Sequence, residues 1–246
     1  DAGAKLIKRN LSDIAAMGGT PDRALLNLLC GPNLSIAWLE AFVEGIRQTC
    51  EQYEVKLVGG DISALQGDQF SAVLTQTGYT TKPVLRSGAS EGDSIYVTGT
   101  LGRSILKKHY AFEPRLAEGR WLAESGACSA MMDLTDGLAK DLPTLVPNKC
   151  SAWLDLPAIP VSNDAKQLSG DPMQHAFCDG EDYELLFTLK QSQNHEEFEQ
   201  SWQKKFLDVE LAKIGRIGTE IDNAACIDAS NQKALPWQKG FEQLSQ

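Results

Sequence analysis

A chain of 246 residues with 42% hydrophobic and 23% charged residues has an ordinary soluble composition and length for one large domain or two smaller ones, each with a core. A formal net charge of −10 with unclustered basic residues argues against a nucleic-acid partner bound through a basic face, and no apolar run approaches the ~20 residues needed to span a bilayer. The six cysteines form no CxxC pair and His109, His175 and His195 fit no zinc spacing, so the thiols read as reduced residues of an intracellular, cytoplasmic protein.

Residues 4–17 read as a helix that runs into Gly18-Gly19, and Arg23 to Cys30 reads as a strand. Ser35 is placed to cap a helix reaching about Tyr53, with Ile36, Leu39, Phe42, Val43, Ile46 and Cys50 on one stripe. "VKLVGGD" follows as a short buried strand ending in a tight glycine turn, and "QFSAVLTQTGYT" as another strand. The polar connection between Lys82 and Asp93 predicts a division into an N-terminal part, residues 1–85, and a C-terminal part, residues 86–246. After it come "SIYVTGT" as a strand, helical segments over 103–125, "SAMMDL" as a strand, and a helix from Asp136 to Val146. "SAWLDL", "YELLFTL", "ELAKIGRIG" and "AACIDA" read as strands, with a helix over 194–206. Strands alternating with helices imply an α/β (α+β) fold.

Acids recur where apolar elements stop: Asp13 in "NLSD", Asp61 in "LVGGD", Asp133 and Asp136 in "MDLTD", and Glu181 and Asp182 in "DGED". Open α/β sheets bind ligands at such strand ends. Carboxylates joined by hydroxyls such as Ser12, Ser63 and Thr135 are oxygen donors of the kind that suit Mg²⁺ or Mn²⁺. Each residue has a plainer reading: Asp61 as a turn residue, Asp136 as a helix cap, Asp13 as a solvated helix position. Asp141 reads as a surface acid or as support for its neighbours. "GTLGRS" fits a strand-to-helix turn as well as a loop approaching phosphate, and there is neither a P-loop nor a GxSxG motif.

Taken in order, "NLSDIAAMGG", "LVGGD", "LRSGASEGDSIYVTGTLG", "HYAFEPR", "MDLTDGLAKDL", "DGEDYELLFTL" and a late "KGF" resemble the thiamine-monophosphate kinase family, over essentially the whole chain. That family belongs to the ATP-binding superfamily of aminoimidazole ribonucleotide synthetase and selenophosphate synthetase. The resemblance implies ATP-dependent phosphorylation of thiamine monophosphate to thiamine diphosphate by a two-domain subunit that pairs through its first domain into a homodimer. It implies that Asp13, Asp61, Asp133 and Asp136 hold Mg²⁺ around the ATP phosphates, that Arg86 and Thr135 contact ATP, and that Glu181 and Phe241 contact the thiamine substrate. Direct in-line transfer is expected, since no His or Ser is set up as a covalent carrier.

Family members carry several dozen residues before "NLSD", with "GDD" and "STD" elements, whereas this chain begins at "DAGAKLIK", so its N-terminal domain is expected to be partial. Arg103 replaces a less bulky residue in the glycine loop, and "FEQL" replaces the family's aromatic ending. A non-catalytic nucleotide-binding paralogue, or another ATP-dependent synthetase of the superfamily, is the alternative, and "GEDYEL" argues against the synthetase.

Overall fold

The computed structural model describes residues 1–167 and 169–242. Helix α1 (Ala2–Ala16) is followed by β1 (Thr20–Cys30), α2 (Ile36–Gln52), β2 (Lys56–Ala64) and β3 (Phe70–Tyr79). The three strands form one sheet in the order β2-β1-β3, with β1 parallel to β2 and antiparallel to β3. A parallel neighbour requires a crossover, and α2 supplies it. Ser35 caps α2 by accepting from the Trp38 N–H at 3.3 Å. Strand β1 alternates: Ala24, Leu26 and Leu28 are buried, while Leu25 and Asn27 are exposed on a face that no element among the described residues covers.

The connection carrying Arg86 leads to a second sheet of seven strands: β4 (Ser94–Thr98), β5 (Cys128–Asp133), β6 (Cys150–Leu154), β7 (Leu185–Leu189), β8 (Leu211–Thr219), β9 (Cys226–Asp228) and β10 (Lys233–Ala234). Their order is β10-β9-β6-β8-β4-β7-β5, antiparallel except where β6 meets β9. Both faces are covered, so every residue of β4 and β7 is buried. Tyr96 and Phe187 point into a cluster shared with α1, α2 and Trp202, whereas Ile95 and Val97 point into a second cluster with Leu101, Leu138 and Phe177. Hydrophobic packing therefore runs unbroken from α1 onto the larger sheet, and α1 lies between the two sheets.

Several boundaries differ from the sequence reading for definable reasons. Residues 103–125 break into short turns, α3 (Lys108–Ala111) and α4 (Leu116–Ser125), with Pro114 just before α4. The helix expected from Asp136 shrinks to α5 (Leu138–Asp141) and a 3₁₀ turn containing Pro143. Strand β7 starts at Leu185 rather than Tyr183, because Glu181 and Tyr183 adopt left-handed backbones, with φ of 57° and 51°. Helices α6 (Asn163–Gln167) and α7 (Pro172–Cys178) were not foreseen, while α8 (His195–Lys205) falls as expected. All six cysteines are free thiols, and no helix among the described residues is long and apolar enough to cross a membrane.

Candidate active site

The site begins where β5 and β7 run out together. Past their paired strands, the Leu134 N–H donates to the Glu184 carbonyl, the Tyr183 N–H to the Leu134 carbonyl and the Glu181 N–H to the Thr135 carbonyl, each at 2.8 Å. This irregular continuation of the ladder sets "LTD" beside "GED". Gly180 makes the approach possible: its φ is 72°, and a Cβ there would lie 2.7 Å from the Thr135 carbonyl oxygen. Helix α1 forms the opposite wall. Its residues Leu6, Arg9, Asn10 and Asp13 recur at helical spacing and face the same hollow. Together with Ala72, Val73 and Leu74 of β3 and with Thr135, Asp136, Glu181, Tyr183 and Phe241, they line a cleft of about 690 Å³.

Five of the eight residues singled out from the sequence thus meet in one cleft: Asp13, Thr135, Asp136, Glu181 and Phe241. Asp133 lies beneath it, 2% exposed, accepting from the Ser12 hydroxyl at 2.5 Å. Burial, opposed by that hydrogen bond and reinforced by Asp13 and Asp141, pushes its carboxyl up to about 6. Asp13 is lifted as well, by enclosure that outweighs the pull of Arg86 and Arg9. Arg86 is exposed on the connecting segment and is not part of the cleft wall, although its charge acts on Asp13. Asp61 stands apart. It lies on β2 in register with Asn27 and Val73, on the uncovered face, with Ser63 donating to it at 2.7 Å. Two strand spacings separate it from β3, roughly 10 Å.

Neighbouring groups fix the cleft side chains. Asp141 is buried, not a surface acid: its Oδ2 accepts from the Thr135 and Asp136 N–H groups, both at 2.9 Å, and so holds the acidic turn open. Asp136 pairs with Lys140 at 2.7 Å. Glu181 pairs with Lys5 at 2.7 Å and accepts from the Tyr183 hydroxyl at 3.2 Å. Burial would raise the Glu181 carboxyl, but Lys5, helped by Tyr183, holds it below its ordinary range. Lys5 also donates to His109 Nδ1 at 2.7 Å; an ammonium has no lone pair, so His109 Nδ1 is unprotonated there. Tyr183 stacks on Phe112 with ring centroids 4.0 Å apart.

The rest of "DGEDYEL" points away from the cleft and anchors it. Asp182 is fully buried, takes the Gly102 N–H at 3.0 Å and the Ser104 hydroxyl at 2.5 Å, and is driven by burial to about 6. The "GTLGRS" loop therefore spends its amides on this acid and on Asp179, to which the Arg103 N–H donates at 3.1 Å. Glu184, 1% exposed, receives Arg115 through two bonds at 2.8 and 2.9 Å and Lys108 at 2.7 Å.

The donor types present are those a hard divalent cation takes. Asp13, Asp133, Asp136 and Thr135 offer only oxygen, and the lifted carboxyl of Asp133 marks a place where added positive charge is favourable. Among the described residues no group of three acids, histidines or cysteines is close enough to hold an ion alone. The sequence reading missed Arg9, Asn10 and Tyr183; the stripe at positions 6, 9, 10 and 13 was a legible signal for the first two.

Residues 1–80 match the family described as AIR synthase related protein, N-terminal domain. The thiamine-monophosphate kinase of Rhodopirellula baltica is 39% identical over 194 residues, covering 77% of this chain and 61% of that protein. The thiamine-monophosphate kinase of Buchnera aphidicola is 34% identical over 268 residues, covering 98% of this chain and 80% of that protein. Among solved structures, one described as AaThiL complexed with AMPPCP and TMP superimposes with a TM-score of 0.82 at 26% identity, covering 98% of this chain and 80% of that one.

Proposed function

The chain belongs to the thiamine-monophosphate kinase family, and on that premise we infer that it transfers the γ-phosphoryl group of ATP to thiamine monophosphate, releasing thiamine diphosphate and ADP. The observation that carries this reading is the single cleft in which the hydroxyl-and-carboxylate turn Thr135–Asp136 meets Glu181 and Phe241. One side of the hollow suits phosphates and cations, the other a flat, positively charged ring. A phosphate oxygen of thiamine monophosphate attacks the γ-phosphorus, and the bond to the β-bridging oxygen breaks with its electron pair leaving on ADP. Among the described residues the cleft lining contains no His, Cys or Ser, which favours direct transfer over a phosphorylated intermediate.

For such a step the chain supplies position and charge. Thr135 and Arg86 contact ATP in this reading. Phe241 stacks on the thiamine ring, and Glu181, held by Lys5, accepts from the aminopyrimidine. Asp13, Asp133 and Asp136 would hold Mg²⁺ or Mn²⁺ at the cleft and Asp61, two strands away, a further ion, and the metal would neutralise the phosphates and polarise the γ-phosphoryl group.

Residues 1–85 form the ATP- and metal-binding part in this reading and pair two subunits into a cytoplasmic homodimer, which the exposed Leu25 on the uncovered face of the smaller sheet supports. The test is ADP release with thiamine monophosphate as acceptor. Turnover should require Mg²⁺ or Mn²⁺, and Asp61→Asn should lose at least ~10²-fold, about 2.7 kcal/mol. No ADP release with this acceptor refutes the activity; near-normal turnover in EDTA refutes the metal role.

A further inference from the structure

The acidic turn and the C-terminal segment bearing Phe241 are fastened together at three points. The Phe241 N–H donates to the Asp136 carbonyl at 2.8 Å. Gly240 lies so close that a Cβ there would sit 2.2 Å from the same carbonyl oxygen and 2.8 Å from Lys140 Cβ. The third point is the Lys140 ammonium, 2.7 Å from Asp136 Oδ2 and donating to the Phe241 carbonyl at 3.2 Å. One cation therefore holds a carboxylate on the phosphate side of the cleft and the backbone on its aromatic side.

We propose that Lys140 is a positioning residue that couples the two halves of the site: its ammonium stands in for a divalent cation on Asp136 while clamping the Phe241 segment over the cleft. The proposal rests on the reading above that Asp136 meets the metal and Phe241 the thiamine ring. An ammonium carries three donors, so both bonds form at once. The Lys140 side chain is 46% exposed, so its pair with Asp136 is weak and gives way to a divalent ion. Its bond to Phe241 does not depend on that pair. Removing the charge then has opposite effects at the two ends: Asp136 loses a competitor for the metal, and the Phe241 strap loses a tether.

Isothermal titration of the full chain distinguishes this from a passive surface lysine. Mg²⁺ alone is titrated first, and thiamine monophosphate is then titrated at saturating Mg²⁺. Lys140→Met, which keeps the length and helix propensity, should bind Mg²⁺ about threefold more tightly and thiamine monophosphate about threefold more weakly. Lys140→Arg should restore thiamine monophosphate binding. If both affinities fall together, or neither moves while the wild type binds both ligands, the coupling role is overturned. A wild-type chain that binds neither ligand overturns the reading of the site itself, and this inference with it.

Discussion

Replacing Asp133 by asparagine should stabilise the metal-free protein at alkaline pH while abolishing turnover. Asp133 is 2% exposed and its carboxyl is pushed from 3.8 up to about 6, burial being the largest cause. A shift of that size corresponds to about 3 kcal/mol of folded-state penalty once the group is ionised. The sign follows from proton binding. The folded chain holds the proton more tightly than the unfolded one, so the penalty is absent below pH 3.8, grows through the window, and is complete above about 6.

An asparagine keeps an oxygen for the Ser12 hydroxyl but buries an amide N–H₂ in place of the second oxygen, which returns roughly 1–2 kcal/mol of that gain. The net stabilisation at pH 8 is about 1–2 kcal/mol, or a melting temperature higher by about 2–8 °C for a chain of this length. Thermal unfolding of both proteins in EDTA at pH 8 and pH 4.5 reads this directly, and the difference should vanish or reverse at the lower pH. Added Mg²⁺ should raise the wild-type melting temperature more than that of the variant. A variant less stable than wild type at pH 8, or a gap independent of pH, refutes the argument that this carboxylate is held at the expense of folding.

The order of elements was legible because their apolar periodicity is strong: α1, α2 and α8 and most strands fall where alternation or helical stripes placed them. What the sequence hid lies at the site. "YELLFTL" has the pattern of a strand from its first residue, but Glu181 and Tyr183 take left-handed backbones and pair irregularly with Leu134 and Thr135. That turn gives Glu181 to the cleft and sends Asp182 and Glu184 inward, a division no local pattern announces. Of the two readings open for Asp141, a surface acid or support for its neighbours, the structure takes the second: buried, it accepts from the Thr135 and Asp136 N–H groups. Lys5 was invisible as a partner because it meets a residue 176 positions away, and so was the reach of Lys140 to a backbone carbonyl 101 positions away, although its pair with Asp136 is at helical spacing.

Glu184→Gln should destabilise the fold by about 3 kcal/mol or more in chemical denaturation, because it leaves Arg115 and Lys108 facing a neutral amide in the interior; a loss under 1 kcal/mol would show that water already reaches them. Light scattering should give twice 26.8 kDa at micromolar concentration, and Leu25→Asp on the uncovered sheet should halve it; a wild-type monomer removes the proposed pairing. Gly240→Ala and Phe241→Ala together test whether the C-terminal segment is substrate wall or core packing. Phe241 is 49% exposed, so truncating it forfeits little buried area, and the melting temperature should hardly move. Loss of stacking or cation–π contact with the thiazolium costs ~0.5–2 kcal/mol, a severalfold rise in KM for thiamine monophosphate with the KM for ATP nearly unchanged. Gly240→Ala leaves the ring intact but drives a methyl into the Asp136 carbonyl 2.2 Å away, so the whole strap must lift. It should therefore raise the same KM at least as much as deleting the ring does. If both variants instead lose thermal stability with both KM values intact, the segment is packing and the thiamine ring binds elsewhere in the cleft.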